Sequence, residues 1–177
     1  MTRAAAYLFV LLLFATSGIA HAQFVTLQIN GIPGESTQRP GEIDIASWQF
    51  KASRPDRAVP PSPKVSTPSP VVIVKGQDST SPLLFINCML GTNLGTITIT
   101  AARWWASERV YKPWMVVTLT DAVIISYDAS ATSQGPHEPS TREQLEFSYR
   151  TITVTFVRQN SGEKIERTWN AVTKRPM

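Results

Sequence analysis

One cysteine, Cys88, and two histidines, His21 and His137, stand among 177 residues. No disulfide can close within the chain, and a zinc or haem site, which needs several such ligands converging, has almost nothing to draw on. A Ser-His-Asp arrangement would have to use His137, yet that residue sits in Gly135-Pro136-His137-Glu138-Pro139, a turn segment that leaves an imidazole in solvent. Glycine numbers only nine, and no glycine-rich phosphate loop, H-E-x-x-H or G-x-S-x-G occurs. No catalytic residue, cofactor or metal is expected. Charge is sparse at 17 %, and the net of +4 demands neither nucleic acid nor an anionic membrane. What the chain does have is 42 % hydrophobic residues, enough to build an interior for one domain.

Arg3 precedes an apolar run from Ala4 to Ala15, and Ala20-His21-Ala22 follows with small residues at the outer positions. Twelve residues are too few to span a bilayer, which takes about 20 in a helix, so residues 1–22 read as a signal peptide cut between Ala22 and Gln23. The remaining 155 residues carry 16 basic and 13 acidic side chains, a net of +3, and form one domain over 23–177 in a periplasmic or extracellular setting, with no membrane span. Cys88 lies in the apolar run Leu83 to Leu90 and is expected to pack as a small hydrophobe rather than to bridge two chains.

The domain reads as mainly β. Phe24 to Ile32 alternates, with Val25, Leu27 and Ile29 on one face, and Glu42 to Phe50 alternates over its first half. Residues 51–70 hold six prolines, at 55, 60, 61, 63, 68 and 70, and form an extended loop of a length that asks for a partner. Val71 to Lys75 is a short strand. Ser81-Pro82 opens one helix, with Ser as N-cap, and Gly91 closes it. Gly95 to Trp104, Pro113 to Tyr127, Glu143 to Arg158 and Lys164 to Val172 are further strands. Leu145, Phe147 and Tyr149 are odd-numbered while Ile152, Val154 and Phe156 are even-numbered, so a bulge near Arg150 or Thr151 should bend the run at a barrel or sandwich corner. The fold expected is a compact barrel or sandwich of two antiparallel sheets with one short α-helix and no internal repeat.

Glu42 and Asp44 are placed on the solvent side of an edge-like strand, where charge discourages aggregation. Asp121 interrupts the series Met115, Val117, Leu119, Val123, Ile125 and is read as pointing inward, fixing a turn or a neighbouring backbone. Arg103, Trp104, Trp105, Arg109, Tyr111, Lys112 and Trp114 interleave basic and aromatic residues, the composition that subunit contacts concentrate and that also stacks sugars or bases.

Phe24 to Phe50 resembles the amino-terminal signature of Hcp, the tube protein of bacterial type VI secretion systems: a strand, the turn G-x-x-G-E-S, then E-I-D and a Ser-Trp pair. Gly31, Gly34, Glu35, Ser36, Glu42, Ile43, Asp44, Ser47 and Trp48 match in order. Ser81-Pro82-Leu83, Val117 to Ile124 with Asp121, Glu143 to Phe156 and Trp169 continue the likeness. The resemblance implies a non-enzymatic structural protein: six copies closing into a ring, rings stacking into a tube, and a secreted effector or other secretion components as partners. It also implies that the loop after the second strand reaches the adjoining ring, which puts Lys51, Arg54 and Arg57 at a subunit contact beside Trp104, Trp105, Tyr111 and Trp114. The chain departs from the family in its leader, in a loop rich in proline rather than glycine, and in Thr37 to Pro40, which lacks the histidine or acid often found in that turn. The residues alone leave a second reading, an exported β-sandwich binding module that holds a glycan or cell-surface polymer on Trp104, Trp105, Tyr111 and Trp114. A third, hydrolysis through Asp121 or the pairs Glu42 with Asp44 and Glu143 with Glu146, lacks a base.

Overall fold

A computed structural model describes residues 23–53, 67–133 and 140–177. Ala22, Arg54, Arg57 and His137 therefore lie outside the described residues, as do the leader and most of the proline-rich loop. The strands are β1 (Gln23–Ile29), β2 (Ile43–Ile45), β3 (Ser47–Gln49), β4 (Ala52–Ser53), β5 (Thr67–Pro68) and β6 (Val71–Lys75). After helix α1 (Ser81–Leu90) come β7 (Ile97–Trp105), β8 (Val110–Thr120), β9 (Val123–Thr132), β10 (Ser140–Ser148), β11 (Thr151–Val157), β12 (Lys164–Asn170) and β13 (Arg175–Pro176). A seven-stranded antiparallel sheet runs β13-β12-β11-β8-β7-β1-β2, and a four-stranded one runs β3-β6-β10-β9. Both sheets are open, so the closed barrel among the expectations gives way to a sandwich.

The core lies between the sheets. Leu27, Ile43, Ile97, Val117 and Leu119 from the large sheet and Ile73, Ile124, Leu145 and Phe147 from the small one are fully buried, joined by Leu84 of α1. The chain passes from one sheet to the other at three corners, and the inward alternation changes phase at each: Ile43 and Ile45 to Trp48, Val117 and Leu119 to Ile124, Leu145 and Phe147 to Ile152. A strand's side chains alternate faces, so the short link at each corner must shift the phase by one to keep the apolar set inside. The run Glu143 to Arg158 is therefore two strands in different sheets, not one strand bulged at Arg150; the register irregularity lies between Glu146 and Phe147. Pro113 to Tyr127 divides likewise, which leaves Ile125 half exposed and Ile124 inside.

The helix starts one residue earlier than expected. Thr80 is its N-cap, but the Thr80 hydroxyl donates to the Asp78 carboxylate and caps nothing. Ser81 Oγ instead accepts from the Asp78 N–H at 3.0 Å. Gly91 closes the helix at φ 60°, a left-handed position that glycine adopts without a Cβ penalty. Cys88 is half-buried rather than buried, packed at the margin of the core. The roots of the proline-rich loop are ordered by β4 pairing with β5, which sequence periodicity did not show.

Candidate functional site

The motif Gly31 to Asp44 folds into a tight turn around one carboxylate. Gly34 N–H donates to the Gly41 carbonyl at 3.1 Å and Ser36 N–H to the Glu42 carbonyl at 3.0 Å. A Cβ on Gly34 would stand 2.3 Å from that Glu42 oxygen, so only glycine lets the two segments approach. Glu42 itself is buried, contrary to its expected place on the solvent side; Thr26 Oγ1 donates to it at 2.5 Å and Arg39 Nε at 2.7 Å. The outward face of β1 at Thr26 is thus covered by this turn, which strand alternation alone could not reveal. Asp44 and Glu35 are exposed, and Trp48 stacks on Phe50 with ring centroids 5.7 Å apart.

A second polar cluster was missed by sequence reasoning. Lys75 and Glu143 face each other in the register of β6 and β10, and both side chains are fully buried with Nζ 2.8 Å from Oε2. The Tyr127 hydroxyl donates to the other Glu143 oxygen at 2.7 Å, and Lys75 Nζ also reaches Asp78 at 2.9 Å. Burial pushes the Tyr127 phenol far up, and the adjacent Glu143 carboxylate adds to this. Burial alone would raise Asp78, but hydrogen bonds from Thr80 and Lys75 hold its carboxyl below the usual range. The signal was present: Lys75 continues the inward phase of Val71 and Ile73, and Glu143 that of Leu145 and Phe147.

The basic and aromatic residues come together on the β7–β8 hairpin and divide between its faces. Trp104 and Tyr111 meet edge-on at 5.1 Å, with Phe24 against Tyr111 at 4.9 Å. On the other face Lys112 Nζ lies 4.7 Å from the centre of the Trp105 ring, and the Arg103 guanidinium 5.8 Å from that of Trp114. The Trp105 and Trp114 indole N–H groups and Arg103 Nε are buried with no acceptor among the described residues. Beside this tip runs a groove of 820 Å³, walled by Trp105, Lys112, Gln159, Asn160, Ser161 and Glu166. Lys51 stands apart, exposed at the root of the proline-rich loop, its backbone tied to Ser69.

Asp121 does not point inward. It occupies the β8–β9 corner at φ 49°, half exposed, where Asn93 and Arg150 donate to its carboxylate and hold it below its ordinary pKa. The corner needs a residue that tolerates the left-handed region, and Asp does so better than most. The inward placement expected for Asp121 is thus corrected to a surface position at the corner. Of the carboxylate pairs, Glu42 is buried while Asp44 is exposed, and Glu143 is fully buried against Lys75 while Glu146 is not. No group of three or more His, Cys, Asp or Glu that could hold a metal ion occurs among the described residues.

The described residues thus present a set of surfaces on a two-sheet sandwich. The sequence profile described as "Type VI secretion system effector, Hcp" matches residues 26–156, and the chain belongs to that family. Among solved structures it is similar to Hcp1 from Salmonella typhimurium, with 22 % identity over 88 % of this chain and 99 % of that one and a TM-score of 0.72. A structure described as a type six secretion system protein gives 20 % identity over 88 % of this chain and 100 % of that one, with a TM-score of 0.74. The secreted protein Hcp3 from Pseudomonas aeruginosa gives 20 % over 85 % and 99 %, with a TM-score of 0.60. No curated protein matches the chain.

Proposed function

We propose that this chain is a non-enzymatic tube-type subunit, exported through its own leader with cleavage after Ala22, whose copies close into six-membered rings that stack or carry a secreted effector. The observation that carries the reading is the family match across residues 26–156. It is supported by the two surfaces that one copy leaves incomplete, the hairpin tip and the outer face of α1. Lys51, Arg54 and Arg57 belong to the ring-to-ring contact in this reading, and Trp104, Trp105, Tyr111 and Trp114 to the contact within a ring. Its partners are other copies and secretion components, with neither nucleic acid nor cofactor.

Light scattering and negative-stain microscopy of the processed protein test it: six-fold rings are expected, and a strictly monomeric species at high concentration overturns it. N-terminal sequencing of protein recovered outside the cytoplasm should begin at Gln23. The groove beside Trp105 favours a second reading, a glycan-binding module, since one aromatic wall and several amide and hydroxyl groups suit a neutral polyhydroxylated ligand. Trp105→Ala would then abolish polysaccharide retention and leave the mass in solution unchanged.

A further inference from the structure

Helix α1 is an unusual element to leave in water. Leu83, Phe85, Ile86, Met89 and Leu90 are each 45 to 72 % exposed, and Ile125 of the adjoining β9 is 51 % exposed. No charged residue occurs between Asp78 and Arg103, so the helix has neither an acid in its first turn nor a base in its last. A solvated helix normally carries charge on its outer face, and a contiguous apolar patch on a small domain marks an interaction surface.

The β7–β8 hairpin is its complement. Val110 and Tyr111 are exposed apolar or aromatic residues at the tip. Around them stand Arg103, Arg109 and Lys112 against the single acid Glu108, which pairs with Lys112. The tip is therefore cationic, whereas the carboxyl end of α1 presents the negative pole of a helix with no basic residue to offset it. Each surface supplies what the other lacks, and the two differ in kind, so their pairing is head-to-tail, the type of contact that closes into rings.

We propose that the β7–β8 hairpin of one copy docks on the apolar face of α1 of the next, with Val110 set against Met89 and Leu90 and Arg109 facing the helix carboxyl end. The proposal rests on the self-assembly reading and names the two surfaces that join.

The test uses the processed chain in three forms: the native sequence, a helix variant Met89→Glu/Leu90→Glu, and a hairpin variant Arg109→Asp/Val110→Asp. The helix pair is well exposed, and Arg109, at φ 53°, occupies a backbone position that Asp tolerates, so both variants should keep the native circular dichroism spectrum. Size exclusion with light scattering should show the native chain as a closed oligomer and each variant alone as a monomer. An equimolar mixture of the variants should form a dimer and nothing larger, because one intact hairpin meets one intact helix face. Variants that still form the native oligomer, or that stay monomeric when mixed, overturn the pairing while leaving self-assembly in place. A monomeric native chain removes both, and a variant that loses the native spectrum is replaced by Leu90→Lys or Val110→Lys alone, judged by the same masses.

Discussion

Glu143 and Glu42 are both buried carboxylates, but the molecule neutralises them in different ways. Glu143 is sealed between the sheets and helix α1, with Lys75 opposite it and both side chains wholly out of water. Glu42 lies under a surface turn, held by a neutral hydroxyl from Thr26 and by Arg39, whose side chain is 35 % exposed. A charge far from water depends on one specific partner, whereas a charge beneath a turn keeps access to solvent relaxation, so losing the partner should cost more at the first place than at the second.

Lys75→Met should have the largest effect, a loss of about 3–5 kcal/mol in urea unfolding, because it strands Glu143 in the interior. The double variant Lys75→Met/Glu143→Leu should regain most of that loss, since an apolar pair of similar volume carries no desolvation penalty. Equal costs for the single and double variants would erase the contrast. Gly34→Ala should cost about 3 kcal/mol by forcing a methyl against the Glu42 carbonyl and opening the turn. Glu42→Gln keeps that turn's shape and removes its charge, with an expected cost of about 1–2 kcal/mol by the same measurement.

Acid should sharpen the comparison further. The Asp78 carboxyl, hydrogen-bonded by Thr80 and Lys75 beside the Glu143 cluster, is held below the usual carboxylate range in the folded chain. Its contribution is fully present above the unfolded value and disappears as pH falls through the lowered one. Stability should therefore decline below about pH 4, and Asp78→Asn should flatten that decline in a pH series of urea midpoints. Asp121→Ala should move the midpoint least, since its bonds to Asn93 and Arg150 lie at the surface.

Some of this could be read directly. The alternation of Val71, Ile73 and Lys75 and of Glu143, Leu145 and Phe147 puts both charges on the core side, and short β-branched runs bounded by turns announce a sandwich. The phase change between Tyr149 and Ile152 marked a corner correctly, although the cause was a change of sheet and not a bulge. Asp121 was misplaced for the same reason: the series from Met115 to Ile125 looks continuous until the chain turns to the other sheet at that residue.

Local pattern determined the β character, helix α1, the turn at Gly31 to Gly34 and the family signature, because each depends on residues near one another in the chain. Tertiary structure decided which sheet each strand joins, that Glu42 is covered, that Lys75 meets Glu143, and that α1 turns five apolar side chains outward. Those outcomes depend on segments as far apart as Lys75 and Glu143, and periodicity along one strand records which face is apolar but not what comes to lie against it.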